Sequence, residues 1–390
     1  MNRRPLDRLR VAIVHEWFVN YAGSERVVEQ MLRVLPQAEL YALVDFLPPG
    51  RRGFIRNKPV TTSYLQKMPL ARTRYRSYLA LMPHAVEQLD VSGYDLVISS
   101  SHAVAKGVLT APDQLHLCMC YSPIRYAWDL QHEYLRGSGL GRGARGWIAK
   151  WVLHYLRLWD VRTAHGVDRF IAISRFIAGR IRKTYGRDAT VIYPPVSLDR
   201  FPLRHEKEDF YLAVSRMVPY KRMDLIVETF SRHLPRLEVV VIGDGPGLRK
   251  VRRIAGPNVT LLGHAPQEVL SDHMQRAKAL VFAAKEDFGI VPVEAQSCGT
   301  PVIAYGRGGA AETVIDGETG ILFDRQTPEC LAAAIERFES RSESLDPDRI
   351  RSNAERFGEE RFRREFAGFV DRAWAAFESG AAQGNESTGS

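Results

Sequence analysis

The chain has 390 residues, enough for two domains with complete cores at roughly 100–200 residues each. Apolar residues make up 45% and charged residues 25%, the balance of a globular protein rather than a fibrous or disordered one. The net charge is +9 with four scattered cysteines, which excludes a disulfide scaffold, and no apolar run approaches the roughly 20 residues of a membrane span.

Short β-branched apolar runs alternate with helix-length amphipathic stretches along the whole chain. In the first half the predicted strands are 10–14, 40–44, 94–100, 115–120, 169–174 and 190–194. The second half offers 210–215, 237–243, 259–263, 279–284, 301–306 and 320–323. Runs apolar on both faces and separated by helices predict parallel sheets covered on both sides, so each half reads as a doubly wound α/β domain. The basic N-terminus leads into Val11–Val14, but His15 and Glu16 end that run too early for a signal-peptide core, so a cytoplasmic location is expected. Cys118 and Cys120, in LHLCMC, read as buried thiols of a strand.

Residues 51–86 carry Arg51, Arg52, Arg56, Lys58, Lys67, Arg72, Arg74 and Arg76, interleaved with aromatic and aliphatic residues, and no acid. That pattern suits an anionic membrane surface; a solvated surface helix is the plainer reading. Nucleic acid would explain the charge but not the residues discussed next, and none is expected as a partner. Pro194, Pro195 and Pro202, followed by the charged run 204–209, place a boundary. The expected division is an N-terminal domain 1–195, a second domain 196–358, a helix 359–378 returning to the first domain, and a disordered tail 379–390.

In open parallel sheets ligands bind beyond the carboxyl ends of the strands, so residues just after strands are the candidates. Arg216 follows strand 210–215, and Lys221 and Arg222 stand at the start of a helix. The helix dipole disfavours cations there by about 0.3–1 kcal/mol each. An anion such as phosphate reverses that sign; chance clustering in an arginine-rich chain is the competing explanation. Gly243, Gly245 and Gly247 have G-x-G-x-G spacing, not a dinucleotide fingerprint, and mark only a tight strand-to-helix turn.

Glu286 falls in the loop after strand 279–284. Pro292 and Gly299 bracket a helix that would place Glu294 in its first turn. Eight residues along one helix leave two side chains about 80° apart, so only a loop–helix elbow brings both carboxylates to one ligand. Paired carboxylates accepting from vicinal hydroxyls suit a sugar. Without a His or Asp at ligand spacing, no metal is expected. In the first half His102 and Lys106, just past strand 94–100, are edge candidates set against structural roles; His15 is a weaker one.

The segment EDFGIVPVEAQSCGTPVIAYGRGGAAETV, beginning at Glu286, stands with SRMVPYKRMDLIVETF (215–230), VIGDGP (241–246), DGETGILF (316–323) and the linker VIYPPVSLDRF (191–201). Together they resemble the retaining GT-B glycosyltransferases of glycosyltransferase family 4 over nearly the whole chain. HEWFVNYAGSERVVEQM, SSSHAVAKGV and YSPIRYAWD further resemble bacterial mannosyltransferases of O-antigen and exopolysaccharide synthesis.

The resemblance implies two Rossmann-like domains facing across a cleft, with the C-terminal helix packing back on the first, acceptor-binding domain. It implies a retaining, metal-independent hexosyltransferase without cofactor, taking mannose from GDP-mannose to a polyprenyl-diphosphate-linked saccharide. Arg216 and Lys221 would hold the diphosphate, Glu286 the transferred sugar and Glu294 the ribose hydroxyls. The backbone of Phe288, Gly289, Ile290 and Val291 would line the sugar and phosphate, with Gly243, Gly245, Leu262 and Gly263 near the nucleoside. Gly23 would face the phosphates, in Ala22-Gly23 where relatives often have Gly-Gly. Tyr121 stands where many relatives carry a histidine; it and His102, Lys106 and Arg125 are the implied sugar or acceptor contacts. The basic 51–86 stretch would dock the enzyme on the inner face of the cell membrane. The alternatives are a UDP-sugar transferase, or a catalytically silent, membrane-associated binding partner.

Overall fold

The computed structural model describes residues 4–137 and 143–386. They form two compact units: one holds the chain up to Tyr193 and again from Phe362, the other is Pro194–Arg361.

The first unit is built on seven strands, β1 (Val11–Phe18), β2 (Glu39–Asp45), β3 (Val60–Thr62), β4 (Leu96–Ser101), β5 (Leu115–Cys120), β6 (Arg169–Ala172) and β7 (Ala189–Val191), in spatial order β3-β2-β1-β4-β5-β6-β7. Every ladder is parallel. β4 and β5 are buried at every position, the state that their unbroken apolar and small-residue runs require. Cys118 and Cys120 are buried free thiols in β5. The second unit holds β8 (Glu208–Val214), β9 (Val239–Ile242), β10 (Val259–Gly263), β11 (Ala277–Phe282), β12 (Val302–Tyr305) and β13 (Gly320–Phe323), ordered β10-β9-β8-β11-β12-β13 and again all parallel. In each sheet the strand order reverses beside the first strand, between β1 and β4 and between β8 and β11. Those are the switch points where such sheets bind ligands.

The last helix, Glu359–Glu386, belongs to the first unit from Phe362 onward. Phe362, Phe366, Phe369, Val370, Ala373 and Trp374 are buried at helical spacing. Arg363 donates to Gln30 Oε1 at 2.6 Å, and the Arg4 guanidinium lies 5.3 Å from the Trp374 ring centre. The expected disorder from Ser379 is corrected as far as Glu386, because no proline or β-branched residue stops the helix there; 387–390 lie outside the described residues.

The basic stretch is not one surface helix. It is a chain of short turns, Pro49–Arg51, Gly53–Ile55, Tyr64–Lys67, Ala71–Arg74 and Tyr75–Leu81, with edge strand β3 between them. Arg56, Asn57 and Leu70 take left-handed backbone conformations that break any longer helix.

Candidate active site

At the β8/β11 switch point the second unit gathers its charges. Arg216 stands just past β8, its side chain exposed and without an ion-pair partner among the described residues. A single 3₁₀ turn, Pro219–Lys221, follows, and Arg222 in the left-handed region (φ 54°) opens the helix Met223–Arg232. That turn aims Lys221 at the loop after β11, where its ammonium pairs with the carboxylate of Glu286. Both side chains are mostly covered, 18% and 14% exposed.

Gly289 in the left-handed region (φ 90°) caps the helix Ile290–Ser297, with Pro292 in its first turn and Gly299 (φ 70°) past its end. Glu286 on the loop and Glu294 on the helix therefore form the elbow that the spacing predicts. One expectation is corrected: the helix starts at Ile290, so Glu294 lies one residue beyond the first turn, and it is buried at 5% exposure. The Phe288 ring packs on Phe357, 5.6 Å between centroids, and Gly289 beside it is buried while Ile290 and Val291 are partly exposed.

The glycines hold loops together more than they contact ligand. A Cβ on Gly243 would fall 1.8 Å from the Ser215 carbonyl oxygen, so this glycine lets the β9 turn lie against the backbone that carries Arg216. Met217 N–H donates to Asp244 O at 2.9 Å, and Gly243 N–H to Gly263 O at 2.7 Å, linking three strand ends. Gly245 continues the same turn, and Leu262 is 42% exposed beside Gly263. Gly309, not among the predicted site residues, donates to Glu286 O at 2.8 Å; a Cβ there would sit 2.2 Å from Phe288 Cα. The tandem glycine in YGRGGAA was the signal for this packing.

At the β1/β4 switch point the first unit holds a second charged cluster. Glu16, fully buried in β1, accepts through Oε1 from Ser101 Oγ (3.2 Å) and from the N–H groups of His102 (2.9 Å), Ala103 (2.8 Å) and Ala105 (3.2 Å). Its Oε2 pairs with His102 Nδ1 at 2.9 Å. Burial pushes the Glu16 carboxyl up, but the charges of His102 and His15, the His102 hydrogen bond and the Ala103 amide bring it down to about 2. Burial works against the His102 imidazolium, yet Glu16 holds its pKa above the ordinary value. The result is a carboxylate–histidine pair that favours the charged imidazole, whose side chain is 32% exposed. Glu16 escaped sequence reasoning because an acid ending an apolar run reads equally as a strand terminator.

Around this pair, His15 Nδ1 lies 3.0 Å from Ser100 Oγ and Nε2 3.6 Å from Glu25. Glu25 accepts from Ala22 N–H at 3.1 Å and Ser24 Oγ at 3.0 Å, fixing the start of the Gly23–Val34 helix at Gly23. The Tyr121 hydroxyl bonds Ser100 Oγ (2.8 Å) and Ser24 O (3.2 Å), so its donor is turned inward. Lys106 is a correction. It is 2% exposed, paired at 2.5 Å with buried Asp160 and bonded to Thr163 Oγ1 at 3.0 Å, a structural cation and not a sugar contact. Arg125 is partly buried on the turn after β5. Among the described residues no three His, Cys, Asp or Glu side chains gather as a metal cluster.

Residues 21–200 match the family model Glycosyltransferase Family 4, and residues 197–357 match Glycosyl transferases group 1. Over 210 residues the chain is 35% identical to the D-inositol 3-phosphate glycosyltransferase of Geodermatophilus obscurus, covering 46% of this chain and 47% of that protein. Over 204 residues it is 28% identical to the GDP-mannose-dependent alpha-(1-6)-phosphatidylinositol monomannoside mannosyltransferase of Mycolicibacterium smegmatis, covering 45% and 53%. The chain thus spans about half the length of the curated relatives it matches. Anabaena HepE bound to UDP and glucose superposes with a TM-score of 0.67 at 16% identity, covering 93% of this chain and 100% of that one. Sucrose-phosphate synthase from Thermosynechococcus elongatus gives 0.69 at 17%, covering 95% and 100%; both likenesses concern the fold. Its two parallel Rossmann-like sheets give the chain the GT-B fold, and its first half is similar to Glycosyltransferase Family 4 and its second to Glycosyl transferases group 1.

Proposed function

We propose that the protein is a retaining hexosyltransferase that moves mannose from GDP-mannose onto a lipid-linked saccharide, in O-antigen or exopolysaccharide assembly. The observation that carries this is the β8/β11 switch point, where exposed Arg216 has no ion-pair partner among the described residues and Lys221 reaches Glu286. An unpaired cation beside a cation–carboxylate pair fits a ligand that is anionic at one end and hydroxylated at the other, as a nucleoside diphosphate sugar is. Arg216 and Lys221 take the diphosphate, Glu286 the sugar hydroxyls and Glu294 the ribose. The acceptor oxygen bonds to the sugar's anomeric carbon on the face from which the diphosphate leaves. The carbon–phosphate-oxygen bond breaks, and the acceptor proton passes to the leaving phosphate oxygen. The protein then supplies position and charge stabilisation, with no metal or cofactor. Relatives named as GDP-mannose-dependent support mannose and guanine.

The test is thermal stability of the full chain against GDP, UDP and ADP, with EDTA present. GDP should stabilise most, by about 2.7 kcal/mol at one hundred times its Kd. A larger shift with UDP would reassign the donor, and no shift with any nucleotide would leave the silent binding partner. Membrane docking through the basic stretch is part of the proposal, with the protein placed at the cytoplasmic face of the cell membrane. Charge reversal at Arg72, Arg74 and Arg76 should then release it from anionic vesicles, and unchanged binding would end that assignment.

A further inference from the structure

We propose that the outward face of the helix Gly143–Ala164 inserts into the interface of an anionic lipid bilayer. Trp147, Ile148, Trp151, Tyr155 and Leu158 are each between 48% and 64% exposed. At about 100° per residue they fall within an arc of about 100°, one continuous stripe over three turns. The opposite face is already spent on the fold. Leu153 and Leu156 are buried in a cluster with Ile124, Ala127 and Leu135, and Asp160 is paired with Lys106. A helix anchored on one side by its core should be polar on the other; a second apolar face of this size marks a binding surface.

Charge selects the occupant. The only acid on the helix is Asp160, fully buried. Lys150 and His154 border the stripe and Arg145 precedes it, all exposed. Leu79, from the basic stretch, packs against the same Leu153/Leu156 cluster, so Arg72 and Arg74 and the exposed Leu70 and Leu81 belong to the adjoining segment. A second copy of the chain would bring like charges together across a two-fold contact, whereas an anionic headgroup layer complements them. Tryptophan and tyrosine favour the boundary between headgroup and acyl chain, and no described helix is long and apolar enough to cross a membrane, so the contact is interfacial. The proposal rests on the lipid-linked acceptor reading for its biological setting, but not for its chemistry.

The experiment is flotation of the full chain with phosphatidylglycerol vesicles and with phosphatidylcholine vesicles. The protein should float with the first, and brominated lipid should quench its tryptophan fluorescence. A triple variant, Trp147→Ser, Trp151→Ser and Leu158→Ser, should float at least tenfold less while keeping the native circular dichroism and any nucleotide-dependent rise in Tm. Lys150→Glu should weaken binding to the anionic vesicles alone. The proposal is overturned if the triple variant floats like the parent or brominated lipid quenches nothing. It is overturned equally if the substitutions abolish a concentration-dependent dimer while vesicle binding is absent throughout. Loss of nucleotide response in the unaltered chain would count against the donor assignment and leave this one standing.

Discussion

Glu16→Gln should remove the charge that favours the His102 imidazolium, leaving burial to lower its pKa, and cost the first unit about 3 kcal/mol, most of it within one pH window. The carboxyl falls from an ordinary 4.5 to about 2 on folding. A shift of about 2.5 pH units at about 1.36 kcal/mol each amounts to about 3 kcal/mol of pH-dependent stability. Because the folded pKa is depressed, that contribution is present above about pH 4.5 and lost as the pH falls toward 2. His102 is shifted the other way, so its contribution is present below 6.5 and lost as the pH rises through its folded value. Since they are partners, the stability difference between parent and variant should be largest between about pH 4.5 and 6.5 and shrink on both sides.

The chain carries its own probe for this measurement. All six tryptophans, Trp17, Trp128, Trp147, Trp151, Trp159 and Trp374, lie in the first unit, so urea unfolding followed by tryptophan fluorescence reports that unit alone. The His102 ring protons, followed by NMR, should titrate below 6.5 in the variant and above it in the parent. A stability difference that stays flat from pH 3 to 8, or an unmoved His102 titration, would refute the reasoning. If the imidazolium steadies an anionic or hydroxylated ligand, turnover in the parent should also decline above the His102 pKa, and the variant should lose that limb.

Lys106→Met leaves Asp160 buried and uncompensated among Trp128 and Tyr185. It should therefore cost about 3–5 kcal/mol by tryptophan-detected unfolding, with nucleotide binding per folded molecule unchanged. Gly309→Ala forces a methyl to within 2.2 Å of Phe288 Cα. It should destabilise the second unit by about 1–3 kcal/mol and shrink the nucleotide-induced rise in Tm, although no site side chain is removed. Gly53→Ala, with nothing within 4 Å of the added carbon, should change neither. If the proposed transfer is right, Lys221→Ala should lower its turnover by about 100- to 1,000-fold, the usual effect of removing one charge-stabilising donor.

The sheets were legible because their central strands bury both faces, and a run such as LVISSS or LHLCMC announces that without reference to anything distant. β3 was not, since Val60–Thr62 is a three-residue edge strand with a half-polar sequence inside a run of turns. The donor elbow was legible for a local reason too: Gly289, Pro292 and Gly299 set the helix limits around Glu286 and Glu294 within a few residues of both. The first unit's cluster offers no such local cue. Glu16 takes its meaning from donors 85 to 89 residues away, and Lys106 from Asp160, 54 residues on. The aromatic stripe escaped for the opposite reason. A helix apolar on both sides has little amphipathic contrast, so periodicity cannot say which face the core uses.

Glu16 and Glu286 show why residue type alone decides so little. Both are glutamates at a switch point, and both have a cationic partner. Glu16 has its oxygens filled by a hydroxyl, three backbone amides and an imidazole, and is sealed from solvent. It can orient and charge His102 but cannot itself take a ligand. Glu286 keeps partial exposure and a flexible lysine as its partner. On the proposed reading that lysine turns from the carboxylate to a diphosphate at modest cost, freeing an acceptor for sugar hydroxyls. On the proposed reading the positioning carboxylate is in the first unit and the ligand-exchanging one in the second, and the Glu16→Gln and Lys221→Ala variants should separate them, one moving a pH profile and the other the rate.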